Sequence, residues 1–260
     1  MIIRNAVDAV AAVLFPAPCR ICGQTLLTAS RIPICADCLA SFQPIVDPLC
    51  DCCGRPFISQ VAADAIRPLC RLCRLDSFSF TRARSYAVYN DALHSAILLL
   101  KYEEVTRLGD WFAAKLAEVV ARDPAHFQAD VVVPVPLHPD RFRERGYNQA
   151  DLIACPLARR LRLKMGSYLL MRTKPRPARL VLSRKEHWDS VRGAYATREG
   201  VRVDNLRVLL IDDVLTTGAT LDSCSRALKK AGAKAVLGLT VARVVTGLPP
   251  ANAAPVRLDG

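Results

Sequence analysis

Eight cysteines in four C-x-x-C pairs, all before residue 74, restrict this chain more than any other feature. The pairs are Cys19/Cys22, Cys35/Cys38, Cys50/Cys53 and Cys70/Cys73. Two intervening residues let both sulfurs of a pair reach one tetrahedral ion, about 2.3 Å from each. Gly23 and Gly54 follow the second cysteine of the first and third pairs, where glycine permits the tight turn that aims backbone N–H groups at sulfur. Gaps of 12 and 16 residues within the two halves are zinc-ribbon spacing. The expectation is two structural zinc ions, each with four cysteine ligands and no open position for chemistry. Disulfides compete, but the chain reads as one that stays among reduced thiols. An iron–sulfur cluster is a weaker fit to paired ribbon spacing. Spacing leaves open whether the first pair joins the second or the third. Cys52 is left over as a non-ligand, and Cys155 and Cys224 read as small buried hydrophobes in helices.

No apolar run is long enough to span a membrane. In "MIIRNAVDAVAAVLFPAPC", Asp8 interrupts the apolar stretch, and Pro18 before Cys19 suits no cleavage site. That segment reads as an amphipathic helix with Val10, Val13 and Leu14 facing inward, and the protein as cytoplasmic. With 52% hydrophobic residues, the chain has ample material for a core. Its net charge of +12 is concentrated. Residues 141–192 hold 14 Lys and Arg against 4 Asp and Glu, so one region carries nearly all the excess. That balance suits a polyanion, a diphosphorylated metabolite or nucleic acid; a merely solvated surface is the bland alternative.

From about residue 80, strand and helix patterns alternate. "FSFTRARSYAVYN" reads as a strand, residues 92–100 and 107–121 as helices, and "ADVVVPVPLHP" as a short buried strand ended by prolines. Residues 147–163 read as a helix and 168–171 as a short strand. Residues 172–189 read as a mobile loop, or a lid with a short helix at 183–188. A strand at 208–211, a helix at 218–231 and a strand in "AKAVLGLTVARV" follow. The fold class is therefore α/β with a mainly parallel sheet flanked by helices. Expected boundaries are a cysteine-rich head at 1–76, a body at 77–246 and a frayed tail at 247–260.

"VLLIDDVLTTGAT" places Asp212 and Asp213 beyond a buried strand, where open α/β sheets bind ligands. The following turn leads into a helix N-terminus, a ready phosphate site. Thr216, Thr217 and Thr220 add hydroxyls, and Gly218 allows close approach. Two carboxylates repel phosphate, so the simpler arrangement gives the acids a sugar diol and the turn its phosphate. Simple helix capping leaves the second acid and three threonines unexplained. A receiver domain also follows a strand with two acids, but too little chain remains here for one.

The same stretch resembles the phosphoribosyl pyrophosphate (PRPP) motif of type I phosphoribosyltransferases. Together with "LLLKY", "VVVPVPLHPDRFRERGYNQA", "LSRKEHWDSVRGAY" and the cysteine head, the order of motifs is similar to the ComF family (competence protein F-like) over nearly the whole chain. The resemblance implies a double zinc ribbon on a phosphoribosyltransferase body. It further implies a link with DNA uptake in natural competence, with single-stranded DNA and a competence-machinery protein on the zinc head as partners. Asp212 and Asp213 would hold the ribose hydroxyls. Val214, Leu215, Thr216, Thr217, Gly218, Ala219 and Thr220 would form the 5′-phosphate loop. Leu137, His138 and Arg141 fall where relatives bind pyrophosphate, Lys101 is a second cation for it, and Mg²⁺ would accompany PRPP. Arg143, Arg145 and Tyr147 lie close behind, and 172–189 would be the hood. His138 could act as base or as a positioning residue. Relatives' Thr-x-x-Gln and Arg-x-x-Asn patterns correspond here to Arg176, Arg179, His187 and Ser190, which puts the acceptor in question. Three functions remain: a glycosyltransferase using PRPP, a nucleic-acid-handling protein, and a PRPP sensor without turnover.

Overall fold

The computed structural model describes residues 17–26, 31–57, 67–75, 78–175 and 184–245. The expected N-terminal helix, the tail, and Arg176 and Arg179 lie outside them, as does the side chain of His187. In the head, α1 is Ala36–Ala40 and α2 is Arg71–Leu75. The body runs β1 Arg82–Val88, α3 Asp91–Tyr102, α4 Arg107–Arg122, β2 Val131–Pro134, α5 Pro139–Arg145, α6 Gln149–Leu161 and β3 Lys164–Met165. It continues with β4 Leu170–Arg172, α7 Arg184–Val191, β5 Tyr195–Thr197, β6 Arg207–Leu215, α8 Ala219–Lys230 and β7 Ala235–Arg243. No helix among the described residues is long and apolar enough to cross a membrane.

Five strands pair in the order β1-β7-β6-β2-β3, every pair parallel. Continuous apolar runs suit strands covered on both faces. Val132, Leu209, Ile211, Leu237 and Leu239 pack with α3, α4 and α6; Val131, Val133, Val208, Leu210 and Val236 pack with α8. After β2 the chain moves outward to β3, and after β6 it moves the other way to β7. The crevice between β2 and β6 is therefore the switch point at which α/β sheets bind ligands. β4 and β5 form a separate antiparallel pair.

The head covers the free edge of β1. Ile45 N–H donates to the Tyr86 carbonyl (2.9 Å), Val88 N–H to that of Gln43 (2.9 Å) and Ala83 N–H to that of Cys52 (2.7 Å). This satisfies an edge that would otherwise invite another strand. The head also straddles the sheet: Cys19, Ile34 and Phe42 join the α4 side, and Cys50, Cys53 and Cys70 the α8 side.

Several local expectations change. The strand expected at 208–211 extends through both aspartates to Leu215, because β7 keeps pairing with it (Asp212 with Thr240, Leu215 with Arg243). Beyond the prolines that end β2, a further helix forms: His138 caps α5, its Nδ1 accepting from Asp140 N–H at 3.3 Å. The short strand expected at 168–171 is β4, outside the main sheet. Cys155 is exposed on α6, whereas Cys224 is buried as expected.

α4 and α6 meet at Gly109, where a Cβ would lie 2.5 Å from the Leu152 carbonyl oxygen and 2.9 Å from its Cβ. Helix propensity favours alanine by about 1 kcal/mol, but backbone cannot yield as a flexible side chain can. Gly109→Ala should therefore destabilise by roughly 1–3 kcal/mol, measured by urea unfolding. A stabilised variant would show that the helices separate freely.

Candidate sugar-phosphate site and zinc centres

Each four-cysteine cluster joins neighbouring pairs: Cys19, Cys22, Cys35 and Cys38, then Cys50, Cys53, Cys70 and Cys73. Interleaving of first with third is thus excluded. Sulfurs at the corners of a tetrahedron of 2.3 Å radius lie roughly 3.8 Å apart. Cys22–Cys35 and Cys53–Cys70 are 3.7 Å apart and Cys19–Cys38 3.9 Å, far beyond a disulfide bond. Both clusters therefore fit structural zinc, with all four ligands supplied by protein. Gly23 and Gly54 adopt φ of +78° and +68°, the left-handed turn that their positions called for. Backbone N–H groups reach the sulfurs across each cluster: Cys35 to Cys19 and Cys70 to Cys50, both at 3.3 Å. The second cluster also meets the body through Arg243, buried at the end of β7. Its Nη1 donates to the Cys53 carbonyl at 2.7 Å and Nη2 to Cys53 Sγ at 3.2 Å. A guanidinium there offsets the negative charge of a zinc tetrathiolate.

At the switch point, β2 pairs with β6 only as far as Pro134 opposite Ile211. Beyond it, β6 is held by β7 alone, and its β2 side opens on a cavity of about 320 Å³. Adjacent strand residues face opposite ways. Asp213 turns toward α3 and α6, where Lys101 Nζ lies 2.6 Å and Gln149 Nε2 3.1 Å from its Oδ2. Asp212 turns toward the α8 side, and its Oδ1 accepts from Asp213 N–H at 2.9 Å. Both acids still border the same cavity. Each keeps one oxygen, Oδ2 of Asp212 and Oδ1 of Asp213, without a hydrogen-bonding partner among the described residues.

Burial, and then the neighbouring charge of Asp213, pushes the Asp212 carboxyl up to about 7. Burial alone would lower the Lys101 ammonium, but the attraction of Asp213 outweighs it and the group ends above its ordinary value. Lys101 thus stays protonated beside Asp213, while Asp212 is poised between forms.

Thr216 and Thr220 border the cavity with Val214. Gly218 opens α8 at φ +86°, without a side-chain cap on the helix. A Cβ on it would lie 2.8 Å from the Phe78 ring, so this position requires glycine sterically as well as conformationally. Thr217 Oγ1 accepts from Ala219 N–H at 3.3 Å, and Leu215 turns into the core. Leu137 borders the cavity. Arg141 does not; it lines an adjoining cleft of about 270 Å³ with Lys101, Arg145 and Tyr147, and pairs with Glu144 at 3.1 Å. The other wall comes from β4, α7 and β5: Arg172, whose Nη1 donates to Tyr195 Oη at 3.2 Å, with Ser190 and Val191. Tyr89, Gln149 and Arg172 were not singled out from sequence as site residues, although Gln149 falls in "GYNQA" and Arg172 opens the segment expected as the hood; Tyr195 closes the motif "LSRKEHWDSVRGAY".

Two four-cysteine clusters on a parallel α/β body, with an acid pair and a threonine turn at its switch point, define the class of protein. Residues 10–74 match the double zinc ribbon domain model. The chain is 30% identical over 224 residues to DNA utilization protein YhgH of Salmonella typhimurium, spanning 85% of this chain and 94% of that one. It is 27% identical over 221 residues to competence protein ComFC of Bacillus subtilis, spanning 81% and 84%. The chain belongs to the ComF family. Among solved structures, it is similar to the glutamine PRPP amidotransferase of B. subtilis at 22% identity and a TM-score of 0.35. That match covers 52% of this chain and 26% of the amidotransferase, so the chain spans about a quarter of its length.

Two outcomes test these assignments. Because Cys19 joins one core of the body and Cys50, Cys53 and Cys70 the other, zinc removal should lower the melting temperature of head and body together, by roughly 10 °C or more. Trp111, edge-on to Phe42 at 5.6 Å, reports both by fluorescence; an unchanged body transition would refute the coupling. Asp212 binds its proton more tightly folded than unfolded, so its contribution falls as pH rises through about 7. Asp212→Asn should therefore be more stable than wild type at pH 8, by on the order of 2–4 kcal/mol, and the gain should vanish toward pH 4. A pH-independent difference would contradict a buried, raised acid.

Proposed function

We propose that this protein binds PRPP with Mg²⁺ at the switch-point cavity, as a cytoplasmic member of a phosphoribosyltransferase-like family that serves DNA uptake or nucleotide metabolism. The observation that carries the reading is the open oxygen on each acid, Asp212 Oδ2 and Asp213 Oδ1, beside the threonine turn and the α8 N-terminus. Two acceptors suit a vicinal diol, and the N-terminus of α8 suits the 5′-phosphate one turn away. The names of the relatives in Salmonella typhimurium and Bacillus subtilis support the link to DNA.

In a transferase, the acceptor attacks the anomeric carbon, the bond to pyrophosphate breaks, and nearby cations stabilise the leaving group. Lys101, Arg141 and Arg145 line the adjoining cleft and can share that work. Mg²⁺ would supply further charge to the pyrophosphate when bound. A sensor without turnover is favoured by one contact: Lys101 is already committed to Asp213 at 2.6 Å. Single-stranded DNA and a protein on the zinc head remain the partners proposed for the rest of the surface.

Calorimetry of PRPP with Mg²⁺ against wild type and the Asp212→Asn/Asp213→Asn double variant tests the site. Binding should occur in wild type and fall at least tenfold in the variant, about 1.4 kcal/mol or more. No binding by the zinc-loaded wild type would overturn the reading. Pyrophosphate release in the same samples distinguishes the transferase from the sensor.

A further inference from the structure

Tyr147, Asn148 and Gln149 are consecutive, and each side chain fastens a different wall of the cavity. Tyr147 Oη donates to the Leu100 carbonyl at 2.6 Å, holding the end of α3 that bears Lys101. Asn148 Nδ2 donates to the Val135 carbonyl at 3.1 Å, where β2 turns away from β6, while its Oδ1 caps α6 through Ala150 N–H. Gln149 Nε2 donates to Asp213 Oδ2 at 3.1 Å, and its Oε1 accepts from the Arg145 guanidinium. Asn148 and Gln149 are both buried.

The two ends of the Gln149 amide face opposite chemistry. Its NH₂ meets a carboxylate and its oxygen meets a cation, so a flipped amide would oppose donor to donor and acceptor to acceptor. Arg145 thereby locks which end reaches Asp213. Lys101 and Gln149 both bind Oδ2 of that carboxylate, which leaves Oδ1 as the acceptor bordering the cavity. Lysine is a point cation on a flexible stem and fixes position without fixing rotation. A second, directional donor fixes the rotation.

We propose that Gln149 is a positioning residue that sets the orientation of Asp213, and through it the recognition of a sugar hydroxyl. The inference rests on the sugar-phosphate reading of the cavity. Without the amide, the carboxylate loses orientation while the phosphate end of the site is untouched. The expected defect is therefore selective: sugar discrimination falls, and phosphate affinity does not.

The test is calorimetric titration of the zinc-loaded full chain with ribose 5-phosphate, 2,3-dideoxyribose 5-phosphate and inorganic phosphate. Wild type should prefer ribose 5-phosphate over the dideoxy sugar. Gln149→Met, similar in length but without the amide, should lose about five- to tenfold for ribose 5-phosphate and little for the other two. Equal losses on all three probes would mark Gln149 as merely structural, and unchanged affinities would remove any role; either overturns the proposal. Arg145→Met frees the amide to flip and should reduce the same discrimination about two- to threefold. If Gln149→Met does not fold, an unchanged ratio in Arg145→Met overturns the proposal. Failure of wild type to bind PRPP or either sugar phosphate instead overturns the reading of the cavity, and this inference with it.

Discussion

The structure depends on a mismatch in length between two neighbouring strands. β2 stops pairing at Pro134, while β6 continues four residues past Ile211 on the support of β7. The last bond of the ladder runs from Val135 N–H to the Ile211 carbonyl at 2.8 Å; the next is replaced by side chains, since the Val135 carbonyl accepts from Asn148 Nδ2 and Asp213 N–H donates to Asp212 Oδ1. Had β2 continued, it would have filled the space that Asp212 and Asp213 now border. The same mismatch sits where the chain leaves β2 in one direction and β6 in the other, so helices do not cover the opening. The open crevice and the buried acid pair thus have one cause.

Burying two carboxylates side by side is costly, and the body meets the cost unequally. Asp213 receives an ammonium and an amide; Asp212 receives one backbone N–H and is left to the proton. The asymmetry follows from strand geometry, since alternate residues face opposite sides and only the α3–α6 side brings a lysine. On the α8 side Asp212 lies near Arg172, whose charge acts on it more weakly than its own burial. The head contributes from the opposite end of the sheet. It seals β1, and through Arg243 it ties a cysteine cluster to a strand that also pairs with Leu215.

The sequence exposed those parts whose chemistry is local. Four C-x-x-C pairs needed only spacing, and the acid pair needed only an apolar run before it and a threonine turn after it. What stayed hidden depends on partners distant in sequence. Which pairs share an ion depends on how the head folds back on itself, and the true end of β6 depends on β7. Cys155 was expected to be buried because α6 is amphipathic, yet it falls on the exposed side of that helix. The helix at 139–145 was missed because its flanking prolines read as loop signals, although Pro139 occupies the first helical position, where its missing N–H is harmless. Gln149 lies within the "GYNQA" stretch, but nothing local shows that residue 149 will meet residue 213.

The charge pattern shows the same division between local and distant information. The basic excess of residues 141–192 suggested one polyanion surface, but several of its members are engaged separately. Arg160 forms a bidentate pair with Asp110, Arg145 lies over the Tyr102 ring at 4.8 Å, and Arg172 lies over Tyr195 at 5.3 Å. Guanidinium groups held in this way are oriented before any ligand arrives and lose less freedom on binding than free side chains would. Arg145 and Arg172 are placed on opposite sides of the acid pair, one through Gln149 and one through the Tyr195 wall. Apart from Lys101, which pairs with Asp213 at 2.6 Å, positive charge therefore flanks the carboxylates without pairing with them. That is the distribution a ligand with a hydroxyl-bearing centre and anionic ends requires, and it connects the basic segment to the acid pair in one electrostatic arrangement.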